Sequence, residues 1–319
     1  MKIIVTTYPF DYGHSKASQL INEIGELCAG TIEFNEKYKK YSPQELEAAL
    51  KEQQPDIIIA GTELYDSQQL GWCPNLKMIS RVGIGLDSVN LEECRRRNIV
   101  VTNTPDGPSN AVAELAVLQI LTALRSTNIV DQHMRKNRWK RIIGREIKNC
   151  RVGVIGAGRI GSLVIEKLES FRPKQIMYTD TDNTKKVFEH HTWSSKQQIL
   201  EQCDVITVHI PLNVQNKDYL GKRELSCLKE DAVLINTSRG SIINESALYE
   251  WLKKRPLSKA AVDVFEEEPY VGKLLELPNI LVTPHLGSCT KMSREAMATG
   301  ALQEVLNFLR GAPPMNEAL

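Results

Sequence analysis

Three residues suited to proton and anion chemistry follow three short apolar runs late in the chain. The run 232–236 leads into Thr237-Ser238-Arg239-Gly240, the run 260–265 into Glu266-Glu267-Glu268-Pro269, and the run 280–283 into Pro284-His285-Leu286-Gly287. If the runs are parallel strands of an open α/β sheet, ligands gather beyond their carboxyl ends, so Arg239, Glu268 and His285 are expected on one edge. These types suit hydride transfer at a carbinol. A histidine can remove or supply the hydroxyl proton near neutral pH. A carboxylate beside it stabilises the protonated ring and fixes its tautomer. An arginine fork can pair with a carboxylate or oxo group and oppose the developing oxyanion. Singly, each has a plainer account as a turn histidine, a surface arginine or a solvated acidic turn; the weight lies in their coincidence.

A second feature stands upstream. Val154-Ile155-Gly156-Ala157-Gly158-Arg159-Ile160-Gly161 is a GxGxxG sequence directly after one apolar run and at the start of a helical one. Gly156 is expected to make a tight turn, Gly158 to let backbone approach a pyrophosphate, and Gly161 to let helix and strand pack closely. The helix start would offer free N–H groups to the phosphates. Asp180 closes the next run, where an acidic side chain accepts ribose hydroxyls and repels a 2′-phosphate; this favours NAD over NADP. Asp182 is the alternative for that role. His209, at the end of VITVHIP, falls on the same edge and is read as a structural or cofactor contact. His190 and His191 sit in a polar stretch without supporting partners.

The elements that must position these residues alternate along the chain. KIIVTT (2–7), a helical stretch near 14–28, TIEFN (31–35), DIIIAG (56–61), KMISRVG (77–83) and IVVTN (99–103) form a first set. Most of these strand candidates are almost wholly apolar, as parallel strands covered on both faces are. Ser42, Pro43 and Glu45 make a helix start with a capping box. Six further strand candidates follow, at 151–156, 175–180, 205–211, 232–238, 260–265 and 280–285, so two doubly wound α/β domains are expected. Residues 109–126 form the longest apolar helical segment, hydrophobic on more than one face, hence deeply buried or part of a subunit interface. The stretch 127–150 reads as polar and irregular, and 290–310 as a final amphipathic helix.

Composition excludes several classes. The 319 residues exceed one ordinary core. The net charge is +1, from 40 basic and 39 acidic residues, which argues against nucleic acid as a partner. The cluster Arg135–Arg141 reads as a solvated helix end or as a rim of positive charge near an anionic substrate. No apolar run reaches the length of a membrane helix, and MKIIVTTYPF reads as a strand, not a signal peptide. Seven cysteines without a C-x-x-C pair form neither a disulfide framework nor a zinc set. A cytoplasmic, metal-free protein is expected.

Taken together, SRVGIGLDSVN, AVAELAV, GVIGAGRIG, VHIPL, NTSRGSIINESAL, DVFEEEP and TPHLGS closely resemble the D-isomer-specific 2-hydroxyacid dehydrogenase family over nearly the whole chain. The resemblance implies an NAD-dependent oxidoreductase acting on a small D-2-hydroxy or 2-oxo acid, 3-phosphoglycerate or a related acid among them. It implies that Arg239 orients substrate, that His285 is the acid/base and that Glu268 is its partner. Arg81, Val82 and Gly83 would contact substrate, the backbone at Val82–Gly83 holding its carboxylate, and Asp263 would face the nicotinamide amide. The candidate cofactor contacts are Gly156, Gly158, Arg159, Ile160, Gly161, Asp180, His209, Pro211, Thr237, Ser238, Asp263 and Gly287. The implied architecture is a Rossmann NAD-binding domain (104–285) inserted in a flavodoxin-like substrate domain (1–103 plus 286–319), with the 109–126 helix as a homodimer contact. Departures bear on substrate. Formate-oxidising relatives carry Gln where Glu268 stands. Ala60-Gly61-Thr62-Glu63 replaces the arginine with which phosphoglycerate enzymes meet a phosphate, although Arg81 with Arg138 or Arg141 offers another route. The appended regulatory domain of some phosphoglycerate enzymes is not expected. Two alternatives use the same residues: a phosphite-type anion dehydrogenase, and a non-catalytic NAD-sensing corepressor.

Overall fold

The structure, a computed structural model, describes residues 1–8, 10, 15–28, 30–182 and 190–318. The chain divides into two compact units, Met1–Pro108 with Ser288–Leu319, and Ser109–Gly287.

The first unit holds a five-stranded parallel sheet of β1 (Ile3–Val5), β2 (Ile32–Phe34), β3 (Ile57–Ala60), β4 (Met78–Arg81) and β5 (Val100–Thr102), in the order β2-β1-β3-β4-β5. That is the flavodoxin-like order. Helices α1 (Ser15–Cys28), α2 (Pro43–Gln53), α3 (Ser67–Gly71) and α4 (Leu91–Arg96) connect the strands; residue 14 of the expected first helix lies outside the described residues. Register is set by alternation. Ile3, Val5, Ile57, Ile59 and Met78 share one core with α1, while Ile4, Ile58, Ala60 and Ile79 face the other with Leu46 and Leu50 of α2. Successive side chains of a strand point to opposite faces, so an all-apolar run feeds both cores. The capping box forms as expected: Glu45 N–H donates to Ser42 Oγ at 3.2 Å and Ser42 N–H to Glu45 Oε2 at 2.9 Å.

The second unit opens with α5 (Ser109–Arg125) and α6 (Thr127–Arg135). It continues through β6 (Arg151–Ile155), α7 (Arg159–Glu169), β7 (Gln175–Thr179), β8 (Thr192–Trp193), α8 (Lys196–Gln202), β9 (Val205–Val208), α9 (Lys222–Ser226), β10 (Val233–Asn236), α10 (Glu245–Lys254), β11 (Lys259–Val262) and β12 (Ile280–Val282). Seven parallel strands run in the order β12-β11-β10-β9-β6-β7-β8. The reversal at β6 puts the glycine turn at the topological switch point. One face carries Val152, Val154, Val233 and Ile235 against α5 and α7; the other carries Ile155, Val208 and Leu234 with Leu248 and Trp251 of α10.

Several expectations need correction. Part of the 127–150 stretch is helical, as α6, which buries none of its residues and therefore leaves no apolar stripe to read. The two-residue strand β8 went unread because both its residues are exposed. The compact units meet at 108/109 and 287/288, within a few residues of the expected boundaries at 103/104 and 285/286. Thr104 stays with the first unit because its N–H donates to the Gly83 carbonyl at 3.0 Å. Leu286 and Gly287 stay with the second because their N–H groups donate to the Asp263 carboxylate.

The last helix, α11 (Lys291–Leu309), returns to the first unit and packs against α1. Beyond it the tail runs beside β5. The buried Glu304 carboxylate accepts the N–H groups of Met315 and Asn316 at 3.0 and 2.9 Å, and Ala318 N–H donates to Val101 O.

Candidate active site

The glycine turn has the shape its sequence anticipates. Gly156 has φ +91°, and a Cβ there would meet the His209 carbonyl at 2.5 Å; a Cβ on Gly161 would meet the Gly156 carbonyl at 1.8 Å. Only glycine fits either position. At Gly158 a Cβ would meet nothing within 4 Å, so this backbone borders open space at the amino end of α7, where a phosphate would approach. Arg159 is exposed and Ile160 half-buried in the first turn of that helix. Asp180 accepts Ala157 N–H on Oδ2 at 2.8 Å and Asp182 N–H on Oδ1 at 3.1 Å. Asp180 thus braces the glycine turn and receives the backbone of Asp182.

The neighbouring strand ends add polar groups. His209 pairs through Nε2 with Thr207 Oγ1 at 2.8 Å, and burial drives its imidazole down to about 3, so it is neutral. Its Nδ1 and the Thr237 hydroxyl are buried without a hydrogen-bond partner among the described residues. Orphaned buried polar atoms call for a partner that the chain does not supply. Pro211 is exposed, its carbonyl accepting from the Asn216 side chain, and Ser238 is held by Asn236 Oδ1 at 2.7 Å. An open cradle at a helix start, an acid beyond the next strand and unsatisfied groups along the same edge fit a dinucleotide.

The ends of β10, β11 and β12 bring three turns together. Gly240 allows the first contact: a Cβ on it would lie 1.9 Å from the Phe265 carbonyl carbon, so the Arg239 turn packs directly on the backbone of the Glu268 turn. Arg239 is half-buried, with Nη1 donating to the Ser238 carbonyl at 2.8 Å. Glu268 receives Phe265 N–H on Oε1 at 3.1 Å, and its Oε2 lies 2.7 Å from His285 Nδ1. The side chains of Glu268 and His285 keep 30% and 37% of their surface exposed. A ring held through Nδ1 presents Nε2 outward.

His285 adopts φ +53°, and its N–H donates to the Asp263 carbonyl at 2.8 Å. The fully buried Asp263 carboxylate accepts Thr283 Oγ1, Leu286 N–H and Gly287 N–H at 2.5, 2.7 and 2.8 Å. Burial pushes this carboxyl up, against those donors and the nearby His285. Asp263 therefore clamps the turn that carries His285, a task its expected role did not include. His191, read as unsupported, pairs with Glu169 at 2.7 Å; the two come from separate elements, which spacing does not reveal.

In the first unit the expected substrate backbone is already engaged. Val82 N–H donates to Ala60 O at 2.9 Å, and Gly83 N–H to Thr104 Oγ1 at 2.7 Å. Thr104, which the sequence reading did not mark, keeps its own hydroxyl hydrogen for another acceptor. Arg81 is 5% exposed, with Nη1 bonded to the Val82 carbonyl, and Glu63 is 3% exposed, receiving Thr6 Oγ1 at 3.2 Å. Burial raises the Glu63 carboxyl, while Lys40, the Thr6 hydroxyl and Arg81 oppose that rise. Arg138 and Arg141 are exposed. Among the described residues no group of three or more His, Cys, Asp or Glu could hold a metal, and no helix is long and apolar enough to cross a membrane.

Comparison with known proteins adds a family to this geometry. Residues 117–287 match the family model described as D-isomer specific 2-hydroxyacid dehydrogenase, NAD binding domain. The chain is 34% identical over 271 residues to a glyoxylate reductase of Thermococcus litoralis, covering 82% of each. It is 33% identical over 317 residues to a D-3-phosphoglycerate dehydrogenase of Methanocaldococcus jannaschii, covering 98% of this chain and 58% of that longer one. A solved 2-hydroxyacid dehydrogenase from Ketogulonicigenium vulgare superposes with a TM-score of 0.81 at 29% identity, over 100% of this chain and 98% of that one.

Proposed function

The chain belongs to the D-isomer specific 2-hydroxyacid dehydrogenase family of NAD-dependent oxidoreductases, and from that premise we propose that it reduces a small, singly charged 2-oxo acid of the glyoxylate type. The observation that carries the reading is the 2.7 Å contact between Glu268 Oε2 and His285 Nδ1. When bound, the nicotinamide supplies the hydride. His285 gives the Nε2 proton to the substrate oxo oxygen, and takes it back in the opposite direction. Glu268 favours the protonated ring and holds its tautomer. Arg239 pairs with the substrate and opposes charge on the oxygen. At the Val82–Gly83 turn, whose own N–H groups are engaged, the Thr104 hydroxyl is the donor left for the substrate carboxylate, with Arg81 supporting the turn. In this proposal the first unit is the substrate domain.

Asp180, beyond the second strand of the Rossmann sheet, supports NAD in preference to NADP. Glu63, buried at the end of β3, counts against a second anion such as the phosphate of 3-phosphoglycerate, because like charges repel strongly away from water. A homodimer through the second unit is part of the proposal. Most of α5 is buried within its own unit, but Leu118 and, beyond the helix, Met134, Trp139 and Ile143 stay exposed, and a partner copy would remove these large apolar side chains from water. Seven free cysteines fit a reducing compartment, and the cytoplasm is the proposed location.

The test is a panel of glyoxylate, hydroxypyruvate, pyruvate, oxaloacetate and 3-phosphohydroxypyruvate with NADH, followed by loss of nicotinamide absorbance. Turnover should be greatest with the singly charged acids. No turnover with any of the five would overturn the proposal.

A further inference from the structure

A buried polar side chain interrupts the apolar helix α5. Gln119 is 1% exposed and stands among Ala116, Ile120 and Ala123. Its Oε1 is buried and has no hydrogen-bond partner among the described residues. A leucine there would avoid that cost, so what distinguishes glutamine is the N–H₂ group. Nε2 donates to Thr283 Oγ1 at 3.1 Å, and Thr283 Oγ1 lies 2.5 Å from Asp263 Oδ1.

The direction of these bonds follows from their chemistry. Two oxygens 2.5 Å apart require a hydrogen between them, and an ionised carboxylate has none to give. The Thr283 hydroxyl therefore donates to Asp263, its oxygen remains an acceptor, and Gln119 must present nitrogen, not oxygen. Asp263 in turn accepts Leu286 and Gly287 N–H through its carboxylate and His285 N–H through its carbonyl. A one-way chain of donors runs from α5 to the carboxylate that clamps residues 285–287.

We propose that Gln119 is a positioning residue: by fixing Thr283 as a donor to Asp263, it keeps that carboxylate ionised and so sets the pH range over which His285 can supply its proton. This rests on the reading of His285 as the acid. His285 faces Glu268, through Nδ1, and Asp263, with Arg239 on the turn packed against that of Glu268. The groups facing Asp263 are His285 and the polar donors already named, with Val112 of α5 bordering the Gly287 end as an apolar neighbour. Without Gln119 the Thr283 hydroxyl is free to turn away. Asp263 then ionises less readily, and the protonated form of His285 loses part of its support.

The experiment measures kcat/KM for 2-oxo acid reduction against pH in the full chain with NADH. Reduction needs the protonated ring, so activity falls on the alkaline side as His285 loses its proton. In Gln119→Leu that limb should move to lower pH by on the order of half a unit. Thr283→Val should move it likewise, Thr283→Ser should leave it in place, and the double variant Gln119→Leu/Thr283→Val should move it no further than either single change. An unmoved limb, or an equal loss at every pH, would overturn the proposal. If Gln119→Leu does not fold, the contrast between Thr283→Val and Thr283→Ser decides. Full turnover in His285→Ala would instead bring down the reading of His285 itself, a result separable from a limb that fails to move.

Discussion

The carboxyl edges of the two sheets are built by the same rule and end in opposite conditions. In the first unit Glu63 and Arg81 are buried, and the turn amides at Val82 and Gly83 are bonded to Ala60 and Thr104. In the second unit Glu268 and His285 stay about a third exposed, with one ring nitrogen held and the other directed outward. Parallel sheets offer a ligand edge wherever the chain crosses over, but the loops decide what that edge can do. One edge has its charged side chains buried and its turn amides engaged, which suits recognition. The other leaves an imidazole ring about a third exposed, which suits chemistry.

The sharpest way to break this contrast is His285→Ala. Turnover of 2-oxo acid should fall about 100- to 10,000-fold, while NADH binding measured by fluorescence changes little. Comparable turnover would remove the chemical distinction between the edges.

Two glycines of the second unit give a smaller and divided effect. Gly240→Ala drives a Cβ into the Phe265–Glu266 backbone and should cost about 1–3 kcal/mol of stability or more, read as a lower Tm. Gly158→Ala meets no protein atom, so it should keep the Tm and weaken NADH binding. A Tm loss at Gly158 with binding preserved would mean that the open cradle has been misread.

The smallest effect belongs to the first unit. The Glu63 carboxyl is raised from its ordinary value of 4.5, chiefly by burial. The stability linked to its titration is therefore present below pH 4.5 and lost as pH rises through the folded-state value. Glu63→Gln has no such loss, so its Tm relative to the unchanged protein should improve from pH 4 to pH 7. A difference that does not vary with pH would mean that Glu63 is not held against its charge.

The elements that could be read in advance are those with apolar periodicity or cap chemistry. IIIA in β3 and the Ser42–Glu45 box on α2 were legible because local sequence specifies them. Helix α6, whose residues all remain at least partly exposed, and strand β8 were not, since neither buries a face that would pattern its sequence. The same division runs through the site. That Arg239, Glu268 and His285 lie beyond the ends of neighbouring strands could be read from the strand pattern alone. Thr104, Gly240 and Gln119 were missed because each acts on a residue distant in sequence. Gln119 carried one usable signal, a polar residue in an apolar helix, though spacing could not name Thr283 as its partner.

By itself the sequence determined two doubly wound units, a glycine turn at a helix start and an arginine, a glutamate and a histidine beyond three strands. Strand positions and turn geometry follow from apolar runs and glycine's freedom, which are local properties. Tertiary structure alone decided which donors were already spent and which remained open. It tied Gly83 to Thr104, fastened the His285 turn to Asp263, and left a cradle at Gly158. Hydrogen-bond satisfaction is settled by neighbours brought from across the chain, and no run of residues records it.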